Sequence, residues 1–194
     1  FGVNGASGLI QSAIIAMANP GETILMPRNV HISVIKICTM QNIHPIFFDL
    51  DFSSETGHYK PITKVWLKNV FKKLNFNEKK IVGVILVSPS YHGYSGDLES
   101  LIDLCHQKNL PVLVDEAHGS YFLFCEKLNL PKSALKSNAD LVVQSLHKSL
   151  NGLTQTAVLW FKGHLINEQN LINSINLLQT TSPSSLLLSS CEES

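Results

Sequence analysis

The sequence predicts an α/β fold in three layers, α/β/α, around a mostly parallel sheet. Short β-rich runs alternate with longer stretches of helical period, the pattern of strands joined by crossover helices. The runs beginning at Ile81 and Val112 are almost wholly apolar until a polar residue ends them, as strands covered on both faces are. No internal repeat, low-complexity tract or long linker divides the chain, and 194 residues with 44% hydrophobic content suffice for one sizeable core.

Taken in order, the first helical stretch is Ser7 to Ala18, where Leu9, Ile10, Ala13, Ile14 and Met17 fall on one stripe. Thr23 to Met26 is the first strand. His31 to Met40 is helical through Val34, Ile37 and Cys38, and Pro45 to Phe48 is the second strand. The polar stretch Asp51 to Lys60 reads as the chain's mobile surface loop. Ile62 to Leu74 returns to helical period, followed by the strand Ile81 to Val87. Leu98 to Lys108 is a helix, Val112 to Asp115 a strand, Leu141 to Gln144 and Thr156 to Phe161 two more strands, and Asn167 to Leu178 a further helix. Residues 1–185 form the major domain in this reading, and 186–194 begin a following helix. Leu186, Leu187 and Leu188 have too little following chain for a self-sufficient helix and are expected to fray or to find another surface. Because the chain opens on Phe1 and closes at Ser194 inside such elements, it reads as a piece of a longer protein.

Composition excludes several partners. Fifteen basic residues balance fifteen acidic ones and no long basic run occurs, so nucleic acid is not expected. The longest apolar runs are strand-sized, which argues against a membrane span. Cys38, Cys105, Cys125 and Cys191 lie far apart without CxxC spacing, and read as reduced, mostly buried thiols of a cytoplasmic protein.

Three polar clusters fall at predicted strand ends or helix starts: Asn4 to Gly8, Asp115 to Gly119, and Ser145 to Lys148. In open α/β sheets ligands bind at the carboxyl edge, so one site would collect all three. The first cluster brings a hydroxyl and backbone NH groups to a helix amino terminus, where an anion such as phosphate is favoured. Ser7 is equally a plain N-cap. Asp115 ends an apolar run, where a carboxylate is poorly solvated unless a cation meets it, and a protonated pyridine nitrogen is one such cation. A lysine just after a buried strand, as Lys148 is, can be desolvated and so freed to form an imine with an aldehyde cofactor, although most lysines are merely on the surface.

Rival readings fare worse. Asp115-Glu116-Ala117-His118 also spells a helicase motif, but the phosphate loop it requires needs a Gly-Lys dipeptide, which the sequence lacks. Zinc is not supported: eight histidines include no HExxH and no Cys/His pairing at ligand spacing, so no metal site is assigned.

Together the clusters resemble the major domain of the Orn/Lys/Arg decarboxylases, a family within the fold type I, aspartate-aminotransferase-like enzymes that use pyridoxal 5'-phosphate (PLP). The matching stretches, in order, are Val3 to Gly8, Pro27 to His31, Ser88 to Tyr91, Val114 to Gly119, Gln144 to Lys148 and Gln179 to Pro183. The resemblance implies a PLP-dependent transferase-like fold, Lys148 as the Schiff-base lysine, Asp115 on the pyridine nitrogen, and His31 stacked on the ring face opposite the small Ala117. It implies a phosphate held around Ala6 and Ser7 with help from Ser145 and His147. It also implies a homodimer or larger assembly with a shared site, to which Thr180 and Thr181 are offered for the neighbour's phosphate. Ile32, Ser90 and Ser185 depart from the family's usual residues without removing a catalytic group.

The activity so implied is decarboxylation of lysine, ornithine or arginine to a di- or polyamine. Lys148 and His147 both remain candidates for the proton donor to the α carbon, and Glu116 and Glu126 are acids in view for the substrate's distal cation. Another fold type I reaction, such as transamination or side-chain lyase chemistry, or an inactive truncated piece, stays open beside it.

Overall fold

The computed structural model describes residues 1–74, 79–124 and 128–194. In chain order the elements are α1 (Gly5–Met17), β1 (Thr23–Pro27), α2 (Ile32–Met40), β2 (His44–Phe48), β3 (Phe52–Ser53), β4 (His58–Tyr59), α3 (Lys64–Lys73), β5 (Ile81–Val87), α4 (Leu98–His106), β6 (Val112–Asp115), β7 (Leu141–Ser145), α5 (Leu146–Ser149), β8 (Ala157–Phe161), α6 (Glu168–Leu178) and α7 (Ser185–Glu192). Every predicted strand and helix is present, with ends within two residues of expectation.

The main sheet runs β2-β1-β5-β6-β7-β8, parallel throughout except for the antiparallel β7–β8 pair. Side-chain alternation divides the core into two layers. Ile24, Met26, Ile85, Leu113, Leu141 and Val143 pack with the buried faces of α1, α2 and α6. Leu25, Val84, Leu86, Val112, Val114 and Val142 pack with α3 and α4 on the other side. Helices cover both faces, which is why these strands read as unbroken apolar runs.

Two expectations need revision. Asp51 to Lys60, expected as a loop, closes as a small β3–β4 hairpin. Phe52 pairs with Tyr59 at 5.5 Å between ring centroids, and Lys60 bridges to Asp51 at 2.9 Å. Gly57, at φ 70°, makes the turn. The second is revised only in part: of the two outcomes expected for Leu186 to Leu188, they do not fray, and their helix finds another surface. They lie in a formed helix, α7, which is anchored by Cys191 against Leu146 and Val158 and by the Leu153 amide donating to Ser190 Oγ at 2.8 Å.

Cys38, Cys105 and Cys191 are buried free thiols, while Cys125 lies outside the described residues. Burial pushes Cys38 up to about 11, and burial with the Asp140 charge pushes Cys105 up to about 12, so neither is a thiolate near neutrality. Among the described residues no helix is long and apolar enough to cross a membrane.

Candidate active site

The carboxyl ends of β1, β5, β6 and β7 open on one cleft of about 300 Å³. β1 is where the strand order reverses, the switch point at which open α/β sheets bind ligands. After β1 come Asn29 and His31; after β5, Pro89 and Tyr91; after β6, Ala117 and His118; after β7, His147 and Lys148. The antiparallel β8 starts at the same edge and brings Thr154 and Gln155. It also seats α1 there: Gly2 pairs with Ala157, and the Gly5 amide donates to the Gln155 carbonyl at 2.9 Å. Ala6 and Ser7 thereby enter the cleft wall.

Of the ten site residues read from sequence, eight line this one cavity: Ala6, Ser7, His31, Asp115, Ala117, Ser145, His147 and Lys148. Thr180 and Thr181 are exposed outside it, with Thr180 Oγ1 accepting from the Ser182 amide at 3.1 Å. Ser7 is not the N-cap of α1. Asn4 holds that place and makes no side-chain capping bond, so the helix amino terminus is left without a cap of its own.

Asp115 is 7% exposed and, among the described residues, accepts one bond, from the Ala117 amide at 3.1 Å. Burial pushes its carboxyl above the ordinary range; the Ala117 amide and the nearby Lys148, His31 and His118 pull it back. The carboxylate thus sits in a dry place with too little cation around it. His31 caps α2, its Nδ1 accepting from the Ser33 amide at 3.2 Å, which leaves Nε2 to carry the ring proton. His147 Nδ1 lies 3.0 Å from the Thr156 carbonyl and donates to it, leaving Nε2 as its acceptor. Ser145 Oγ is buried without a hydrogen-bond partner among the described residues.

Lys148 stands on α5, a four-residue helix that carries it past the end of β7. The desolvation expected for it is not found: its side chain is exposed in the open cleft, with Nζ 3.1 Å from His118 Nε2. Sequence reasoning did not name His118 as a site residue, although it belongs to the Val114 to Gly119 stretch that carries the resemblance; the histidine it named near Lys148 was His147. Tyr91 and Asn29 also lie in quoted stretches, whereas Thr154 and Gln155 carried no signal. Glu116 is withdrawn as a partner for a substrate cation. It is fully buried and bonded to the Ala134 amide at 2.7 Å and the Gln144 side-chain amide at 2.6 Å. Glu126 lies outside the described residues.

Over residues 1–193 the chain matches the family described as Orn/Lys/Arg decarboxylase, major domain. It belongs to that family. An arginine decarboxylase of Bacillus cereus is 36% identical over 192 residues, 99% of this chain and 40% of that protein. The chain therefore spans about two-fifths of that relative's length. Among solved structures, the constitutive lysine decarboxylase of Escherichia coli superposes with a TM-score of 0.81 at 22% identity, covering 98% of this chain and 28% of that one. Cystalysin of Treponema denticola, whose crystals contain pyridoxal 5'-phosphate, superposes at 0.72 with 16% identity, covering 98% and 48%. The fold is that of the PLP-dependent transferases, and PLP is the cofactor that goes with this family.

The cleft of this family member suits that cofactor on its own chemistry. A buried carboxylate short of a cation meets a pyridinium nitrogen, an unpartnered buried hydroxyl and an uncapped helix start meet a phosphate, and an exposed amine meets an aldehyde.

Proposed function

We propose that the protein decarboxylates a basic amino acid, lysine, ornithine or arginine, giving carbon dioxide and a di- or polyamine, with PLP held in the cleft. The observation that carries the reading is the convergence of Asp115, Lys148, His31 and Ser145 on one cavity from four different elements. Family membership supplies the reaction class, and the name of the Bacillus relative makes arginine the first substrate to try.

When bound, the cofactor supplies an electron-withdrawing ring that takes up the electron pair of the broken carboxylate bond. Lys148 Nζ is the amine that holds its aldehyde carbon. Asp115, fixed by the Ala117 amide, keeps a proton on the ring nitrogen, and a preset opposite charge in a dry site is worth several kcal/mol, roughly, to developing charge. His31 covers one face of the slot. Ala117 bounds the other with a single methyl, which leaves room for a flat ring. The Ala6 and Ser7 amides and Ser145 Oγ bind the phosphate, and His147, whose Nδ1 donates to the Thr156 carbonyl, adds an Nε2 donor when its ring carries both protons.

The same reading places Thr180 and Thr181, exposed and away from their own cleft, at the phosphate of a second copy in a homodimer or larger assembly. It also assigns the protein to the cytoplasm, in keeping with the buried free thiols.

The test is release of carbon dioxide by the full-length protein offered lysine, ornithine and arginine in turn. PLP-dependent release from one of them is expected. Amino transfer to a keto acid without release would instead establish another fold type I reaction.

A further inference from the structure

We propose that His118 is the residue that takes and returns the proton of the Lys148 amine, a role that rests on Lys148 being the amine that holds the cofactor. The supporting contact is direct: Nζ and Nε2 are 3.1 Å apart. An ammonium has three donors and no lone pair, so Nε2 must be the acceptor and the ring proton must sit on Nδ1. His147 stands beside Lys148 on the same helix, α5, but its Nδ1 is committed to the Thr156 carbonyl.

The ring of His118 is held for this work. Tyr91 meets it edge-on at 5.7 Å between centroids and 85° between planes. The turn that carries it is locked at Gly119, where an added Cβ would lie 2.7 Å from Pro89 Cδ and 2.8 Å from Glu116 Cγ. The charged and titratable groups that line the cleft with it are Lys148 and His147 from α5, Asp115 from β6, Tyr91 from the segment after β5, and His31 at the start of α2. Burial and the lysine charge both hold the imidazole below the usual histidine range, against the opposite pull of Asp115. The neutral ring is therefore the form at hand near pH 7, ready to accept.

The chemistry needs such a group, because a protonated lysine is no nucleophile. In the proposed step one Nζ–H bond breaks, its electron pair stays on nitrogen, and the proton forms an Nε2–H bond. The resulting imidazolium is balanced by Asp115. When the amine is later displaced by substrate, the same proton returns along the same contact. No oxidant, reductant or further reactant enters.

The test is the rate at which full-length protein, stripped of cofactor, captures added pyridoxal 5'-phosphate, quenched with borohydride and read by mass spectrometry on the Lys148 peptide across pH 5 to 10. For the wild type the rate is expected to rise with pH and bend at or below about 6.5, the ordinary histidine value. His118→Gln keeps an acceptor oxygen but no base; it should capture at least about tenfold more slowly at pH 7, with no bend in the histidine range. A wild-type profile with no bend in the histidine range overturns the proposal without any variant. So does a folded His118→Gln or His118→Asn protein with the wild-type rate and profile. Label on a lysine other than Lys148 in the wild type overturns the reading beneath it as well, which distinguishes the two failures.

Discussion

Asp115 and Glu116 are adjacent carboxylic acids at the end of one strand, both buried, and they have opposite surroundings. Asp115 continues the alternation of Leu113 toward the α1 layer, in register with Val87 and Val143, and looks into the cleft with a single amide for company. Glu116 continues Val114 toward the α4 layer, where both its oxygens are occupied: the Ala134 amide binds one and Gln144 the other. Gln144 Oε1 in turn accepts from Trp160 Nε1 at 2.8 Å. The same alternation separates Gln144 from Ser145, sending the first to Glu116 and the second, unpartnered, to the cleft wall. Polar groups satisfied by the chain hold the strand ends together. Those left unsatisfied mark where something else binds.

The sharpest way to break this contrast is to remove one acid at a time. Asp115→Ala is expected to lower turnover at least about a hundredfold, the scale of losing a preset charge partner, while leaving the melting temperature within a few degrees of wild type. Near-normal turnover would show that the cleft-facing acid is idle. Steady-state kinetics and a thermal melt on the same preparation decide it.

Glu116 should show the reverse. Burial raises its pKa from 4.5 to about 7, with the Ala134 and Gln144 amides opposing. Between those values the folded chain holds a proton that the unfolded chain has released, so this group makes the protein less stable as pH rises from about 4.5 to about 7. The full effect is on the order of 3 kcal/mol and is already complete above that window. Denaturant titrations at pH 5 and pH 7.5 should show the fall, and Glu116→Gln should lack it. A slope of the opposite sign, or one unchanged in the variant, would contradict the assignment.

Smaller again is the cost of Glu116→Gln itself. Two donors face the side chain, so one of them must meet the new NH2. Gln144 cannot flip to help without leaving Trp160 unpaired, and the expected loss is about 1 to 3 kcal/mol of stability. Activity per folded molecule should be nearly kept. The smallest effect is Ser145→Ala, which deletes a hydroxyl that has no partner among the described residues: stability should shift by less than about 0.5 kcal/mol, with PLP affinity down roughly tenfold. Equilibrium dialysis against PLP checks it, and unchanged affinity would remove Ser145 from the phosphate site.

How much of this was legible follows from the length over which each signal extends. The unbroken apolar runs of Ile81 to Val87 and Val112 to Val114 place the sheet, and the clusters at its carboxyl edge place the cleft, because local pattern decides both. The β3–β4 hairpin was hidden because its pairing rests on Phe52 and Tyr59 across a polar turn, too short a run for any period. The helix α5 was hidden for the same reason, at four residues. His118 was overlooked because its partner, Lys148, is thirty positions away, a proximity only the β6–β7 pairing creates. Desolvation of Lys148 was expected from the apolar strand before it, but α5 lifts the side chain clear of that strand into open cleft. Thr180 and Thr181 were named from resemblance alone, and no geometry within one chain would draw them to the site.

The most direct measurement is borohydride reduction of the full-length protein with bound PLP, followed by mass spectrometric mapping of the fixed label. If the unsatisfied cleft of β6 and β7 is the cofactor site, the pyridoxyl mass lies on the peptide containing Lys148 and is absent from Lys148→Ala. Label on another lysine, or undiminished label in Lys148→Ala, would contradict the account.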